Sequence, residues 1–294
     1  MLWAVFTLIA AAAQTARNAM QRELTANLGT VGATHVRFLF GFPFALLFLA
    51  GVLAATGAEL PKPPPMFWPW VLAGAFTQIA ATATMLSVMG QRSFVVAYAF
   101  IKTEPVHVAL FGLIFLGDKI TSLSAAAILI ATAGVIIISL KGNSDQGSSV
   151  RSTMVGLFSG ALFGLSAIGY RGAILSLHRP DFVVAATFTV TVGLVIQAAV
   201  LSLYLALRDR KVLQAIARAW RPSLFAGFMG AFASEFWFLA FAITTAANVR
   251  TLALVEVLFA QGVTRFVFKQ PTTHREIAGI VLVVIGVALL VWAY

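Results

Sequence analysis

Apolar runs of roughly the length that crosses a bilayer take up nearly all of this chain, and little is left to fold as anything else. Ten can be counted, at residues 2–23, 30–54, 66–90, 93–116, 121–140, 153–177, 182–207, 222–244, 247–268 and 276–293. A helix needs about 20 apolar residues to cross hydrocarbon, and no water is present there to bond a free backbone, so runs of this length read as helices. Loop composition is confined to 59–65 (ELPKPPP), 142–150 (GNSDQGSSV) and the basic 208–221, too little for an extramembrane catalytic domain. With 60% hydrophobic and 10% charged residues, against about 25% charged in soluble domains, the surface of a soluble fold would lack the charge that keeps it dissolved. The expectation is an all-α polytopic membrane protein.

Several function classes drop out. Cysteine is absent, which removes disulfides and thiolate metal sites. There is no Gly-rich phosphate loop, no His-Glu-x-x-His and no serine elbow, so neither direct ATP drive nor a familiar hydrolase is expected. Glu104 and His107 have a carboxylate-metal spacing, but a single copy supplies no ligand set. No cofactor and no metal are expected. The net charge of +10 comes from residues placed between apolar runs, which is a topology signal and not a nucleic-acid patch. No cleavable signal is read at the start, because the first run lacks a basic leader and continues into Gln14 and Arg17.

The second half repeats the first. A shift of 152 positions lays residues 250–292 on 98–140, so that Glu104 meets Glu256 and Gly134 meets Gly286; the same shift pairs Val31 with Val183, Gly41 with Gly193 and Ala81 with Ala233. The first and sixth runs need 154, which pairs Arg17 with Arg171. Run lengths, link positions and rare charged residues carry the inference, since a chain this rich in Ala, Leu and Val matches itself often. The expected units are residues 1–141, a polar linker 142–152 and residues 153–294. Five spans begin and end on opposite sides, so two consecutive halves are inverted, an arrangement built for transport around a central cavity. Links after odd-numbered runs carry 11 Lys and Arg against 4 on the other side, which places the odd links in the cytoplasm and both termini in the periplasm of a bacterial inner membrane.

Three stretches resemble the drug/metabolite transporter superfamily, in its ten-helix EamA-type members. They are Glu104-Pro105 in the fourth run, the LGDKITSLSAAAILIATAGVIII sequence from Leu116, and His35-Val36-Arg37-Phe38. The second copy, Val255-Glu256-Val257 through Gly279 and Gly286, lacks the proline and has Gln270-Pro271 where the acidic residue stands. Within the superfamily the chain looks most like the bacterial aromatic amino-acid exporters. The resemblance implies a basket-like bundle whose cavity is built from helices one, three, four, six, eight and nine, with five and ten peripheral. It implies export-type secondary transport and leaves the cargo open.

Ionisable groups at membrane depth are costly unless paired or hydrated, so each should face the bundle interior. Two roles stay open for Glu104 and Glu256: proton-carrying or substrate-binding carboxylates, or counter-ions of Arg17 and Arg171. Gln78, Thr82 and Met85 share one helical face, and the shift turns that face into Gly230, Ser234 and Trp237; this is either a binding face or helix packing. Tyr98 and Lys102 also share a face, for a substrate ring and carboxylate. Gln14, Asn18, Ser166 and Tyr170 are further polar candidates, and His35 is either a proton-coupling group or a hydrogen-bonding one. Gly156, Gly160 and Gly164 form a ridge for close helix approach. The expected function is a monomeric secondary exporter of small amphipathic metabolites, aromatic and other apolar amino acids first, working by alternating access. Glu235 and Lys102 are its expected opposite poles for a zwitterion. An organic-anion or sugar-phosphate antiporter is the alternative, and a membrane-embedded lipid enzyme a lesser one. The bilayer and a small-molecule substrate are the only partners expected; nucleic acid is not.

Overall fold

A computed structural model describes residues 1–87, 99–139, 150–266 and 273–293, without the side chains of 18–23, 25–27, 152, 222, 260 and 263–266. Every regular element among them is helical. In chain order these are α1 (Leu2–Leu39), α2 (Phe42–Thr56), α3 (Phe67–Ser87), α4 (Glu104–Phe111), α5 (Ser122–Ser139), α6 (Val150–Ser176) and α7 (Phe182–Arg208). There follow α8 (Arg210–Arg218), α9 (Trp220–Ile243), α10 (Ala246–Leu252), α11 (Glu256–Phe266) and α12 (His274–Trp292). Eight helical stretches among the described residues are long and apolar enough to cross a membrane, and a shorter one occupies Leu2–Arg17. The chain is a multi-pass membrane protein.

Five stretches that read as simple spans or loops depart from that reading. The first and second are joined into α1, which bends at Gly29, where φ is 69°; a side chain there would be strained. The second run then breaks after Phe40, and Pro43 in the first turn of α2 lacks an N–H that would be orphaned anyway. The fourth run breaks at a tight turn, with Lys102 N–H donating to Ala99 (3.2 Å) and Thr103 N–H to Phe100 (3.2 Å). Helix α4 restarts with Glu104 and Pro105, continues as a π turn at Gly112–Leu116 and stops at Gly117, φ 67°. The ninth run breaks in the same place without a proline: α10 tightens into a 3₁₀ turn, Ala253–Val255, and α11 restarts at Glu256. Each of the two repeat-related glutamates therefore opens a half-helix, where the helix dipole favours a carboxylate. The basic stretch 208–221, which read as loop, contains α8. Asp209 caps it by accepting from Lys211 and Val212 N–H, and its buried Ile216 packs with Leu24, Leu28 and Val36 of α1.

The most extensive helix pairings are α3 with α6, α1 with α9 and α5 with α12. Small residues and hydroxyls make these approaches close. A Cβ on Gly134 would lie 2.7 Å from Gly279 O of α12, and one on Gly286 would lie 2.6 Å from Ala131 N of α5. Between α3 and α6, Ser159 donates to Ala81 O (3.1 Å) and Ser166 to Gly74 O (3.0 Å). Gly160 and Gly164 back onto Ile101 and His107, with Cβ positions 3.0 and 3.2 Å from them, so part of the glycine ridge seats the fourth run.

Candidate functional site

A pocket lies where these helices leave the bundle centre open. It is lined by Gln14, Arg17 and Arg37 of α1, Gln78 and Met85 of α3, Ile101, Lys102 and Glu104 around the break in the fourth run, Phe163 of α6, Trp237 of α9 and Arg250 of α10. A contiguous hollow shares Gln14, Lys102, Glu104 and Arg250 and reaches Glu256. Elements from both halves of the chain contribute, and the two half-helix starts meet at the pocket.

Two crossed ion pairs join the halves here. Arg250 Nε lies 2.9 Å from Glu104 Oε1, and Lys102 is paired with Glu256. Each pair takes its base from one half and its acid from the other. Arg250 also lies over the Trp237 ring, 4.7 Å from its centroid, a cation–π contact. Trp237 Nε1 donates to Gln14 Oε1 (3.1 Å), and Gln14 Nε2 donates to Glu256 Oε2 (3.4 Å). Lys102, Glu256, Gln14, Trp237, Arg250 and Glu104 thus form one continuous network.

Of the two roles left open for Glu104 and Glu256, the counter-ion role is met by Arg250 and Lys102 and not by Arg17 and Arg171. Arg171 instead donates to Phe241 O (2.5 Å) and to Thr244 O, at the end of α9, and its guanidinium faces Asp118 at 3.5 Å. It clamps the α9–α10 turn to the link before α5. Arg17, its mate in the repeat, is buried and lines the pocket. The repeat-related position is shared and the job is not, because the two arginines leave their helices beside different neighbours.

The remaining candidates fall into three groups. Gln14, Gln78, Lys102 and Trp237 line the pocket. Gln78 Oε1 is held by Gln197 Nε2 (2.8 Å) and by the Tyr170 hydroxyl (3.4 Å). Thr82, Ser166, His35 and Glu235 are buried outside its lining. Ser166 is spent on Gly74 O, His35 Nε2 meets Ser202 Oγ at 3.0 Å, and Glu235 accepts from Thr187. Glu235 and Lys102 are therefore not two open poles of one cavity, since Lys102 already has Glu256 and Glu235 is engaged on α7. Tyr98 lies outside the described residues, as does the side chain of Asn18. Sequence reasoning passed over Gln197, Phe163 and Asp118. A glutamine in the middle of an apolar run was the available signal for Gln197; Phe163 had none, because phenylalanine is common throughout the chain. Asp118 stood inside the LGDKITSL stretch, which pointed to the family and gave it no partner.

The sequence model of the EamA-like transporter family matches residues 1–140 and 150–292. The chain belongs to that family. EamA-like proteins are transporters and not enzymes, which agrees with a pocket lying among membrane-crossing helices. No curated protein matches the chain. Among solved structures, one described only as a crystal structure of a protein is 15% identical with a TM-score of 0.70, covering 98% of this chain and 96% of that one. At that identity the likeness extends to the fold, which this EamA-like chain shares over nearly its full length.

Proposed function

We propose that this protein is a monomeric secondary transporter of a bacterial inner membrane, exporting small amphipathic metabolites by alternating access between two inverted five-helix halves, residues 1–141 and 153–294. The observation that carries the reading is the pocket walled by both halves, with broken helices meeting at it, the arrangement that transporters use for binding sites. The helix pairings support a twofold relation between the halves, and the odd number of spans in each half is what makes them inverted. Exchanging the first five spans with the last five turns the α1–α9 contact into α6–α3 and leaves α5–α12 as itself, as a twofold axis requires. Trp237, Phe163, Met85 and Ile101 supply an apolar wall, in keeping with aromatic or other apolar cargo such as amino acids. In the alternating cycle the crossed pairs Arg250–Glu104 and Lys102–Glu256 hold the two halves together at the level of the helix breaks.

Proteoliposomes loaded with purified protein test the reading. Labelled phenylalanine, tryptophan, threonine, phenylpyruvate and glucose 6-phosphate are offered, and counterflow of at least one above protein-free vesicles is the expected result. Counterflow of none would sink the proposal. A reporter fused after Tyr294 should be active in the periplasm, as the Lys and Arg bias requires; a cytoplasmic reporter would reverse the orientation.

A further inference from the structure

Among the described residues, basic side chains outnumber carboxylates around the pocket. Its bases are Arg17, Arg37, Lys102 and Arg250, while the carboxylates at it and directly adjoining it are Glu104 and Glu256. Both carboxylates are engaged, one with Arg250 and one with Lys102. Arg37 is 5% exposed, forms no salt bridge among the described residues, and its Nε finds no hydrogen-bond partner among them. Its guanidinium carbon lies 5.2 Å from the Phe38 ring centroid, a contact that supplies no oxygen acceptor to that Nε–H. A glycine makes room for the cationic wall. A Cβ on Gly230 of α9 would fall 3.3 Å from Arg37 Cγ and 3.5 Å from Arg17 Cδ, so the stems of both arginines pass over it. A buried guanidinium that lines a cavity and has no carboxylate paired to it suits an oxyanion, because its planar fork matches two oxygens at once.

We infer that the pocket takes a small organic anion, one compact oxyanion group bound by Arg37 with Arg17 on the same wall, and an apolar body against Met85, Ile101 and Phe163. The inference rests on the transport reading and narrows its cargo. A zwitterionic amino acid fits less well, since its ammonium finds both pocket carboxylates taken and Glu235 outside the lining. Burying an unpaired ammonium beside arginines is opposed by both desolvation and repulsion.

The test uses three ligands with the same ring and different charge. Purified protein in detergent is titrated calorimetrically with 2-phenylethanesulfonate, phenylalanine and 2-phenylethyltrimethylammonium. The sulfonate should bind at least about tenfold more tightly than phenylalanine, and the quaternary amine should not bind. Arg37→Gln should weaken the sulfonate by about 30-fold or more. Arg37→Lys, which keeps the charge and loses the fork, should weaken it by about tenfold. Gly230→Val leaves every charge in place and crowds both stems, and it should also weaken the sulfonate. If Arg37→Gln does not elute as a monodisperse species, the other two variants decide. Tighter binding of phenylalanine or of the amine overturns the inference, as does full sulfonate affinity in a folded Arg37 variant. Binding of none of the three by a preparation that transports a member of the proteoliposome panel also overturns it, while the transport reading stands. Absence of all transport overturns the transport reading itself.

Discussion

Replacing Glu256 by Gln is expected to destabilise the folded protein by about 3–5 kcal/mol, the cost of leaving a buried charge without its partner. The Lys102 and Glu256 side chains are only 11% and 7% exposed, so water screens neither. The loss reaches further than one pair, because Glu256 also accepts from Gln14, which in turn accepts from Trp237. Lys102→Glu alone should be at least as damaging, since it sets two carboxylates against each other. The exchanged double variant, Lys102→Glu with Glu256→Lys, should regain most of the stability and show a coupling of about 0.5–3 kcal/mol in a double-mutant cycle. Thermal unfolding of the detergent-solubilised variants checks this. A Glu256→Gln protein as stable as the parent, or a double variant no better than the singles, would show that the pair does not hold the halves together.

The second large effect is expected at Gly169. Helix α6 meets α3 so closely there that a Cβ would lie 2.6 Å from Gly74 N, 2.8 Å from Gly74 Cα and 3.0 Å from Trp70 O. All three are backbone atoms, which cannot turn aside as a side-chain tip would. Gly169→Ala must push the helices apart, at an expected cost of about 1–3 kcal/mol for overpacking, and Gly169→Leu should yield no monodisperse protein. The shift would also strain the Ser166 and Ser159 bonds to Gly74 and Ala81 and displace Gln78 from the pocket wall, so transport should fall more steeply than stability. Gly51→Ala is the control, since a Cβ there meets nothing within 4 Å. Equal behaviour of Gly169→Ala and Gly51→Ala in yield, unfolding temperature and uptake would contradict the close approach.

Much of the site was legible in part. Intramembrane charge marked Arg17, Lys102, Glu104 and Glu256 as interior residues, and helical spacing put Gln78 with Met85, both of which line the pocket. The face was not uniform, since Thr82, between them in the same pattern, is buried outside the lining. The functions assigned by symmetry fared worse. Arg17 and Arg171 occupy matching places in the repeat, yet one faces the pocket and the other clamps the α9–α10 turn. Both the fourth and the ninth runs read as single spans, and neither break was seen: Pro105 was available as a signal for the first, while the second is a 3₁₀ turn that needs no proline.

What the amino-acid order determined alone is a helical chain that crosses the membrane many times, because each span must carry its own apolar length through hydrocarbon whatever its neighbours do. The family follows from the sequence too, through the match over residues 1–140 and 150–292. Partner choice was decided only in three dimensions: Lys102 with Glu256, Glu104 with Arg250 and Arg171 with Asp118, with Arg37 placed in the pocket lining. Spacing along a helix fixes which side chains share a face, but not how that face is turned. Rotation and crossing are set by packing, here by glycines and hydroxyls that let backbones touch. The packing that fixes those turns also determines which charged side chains meet one another.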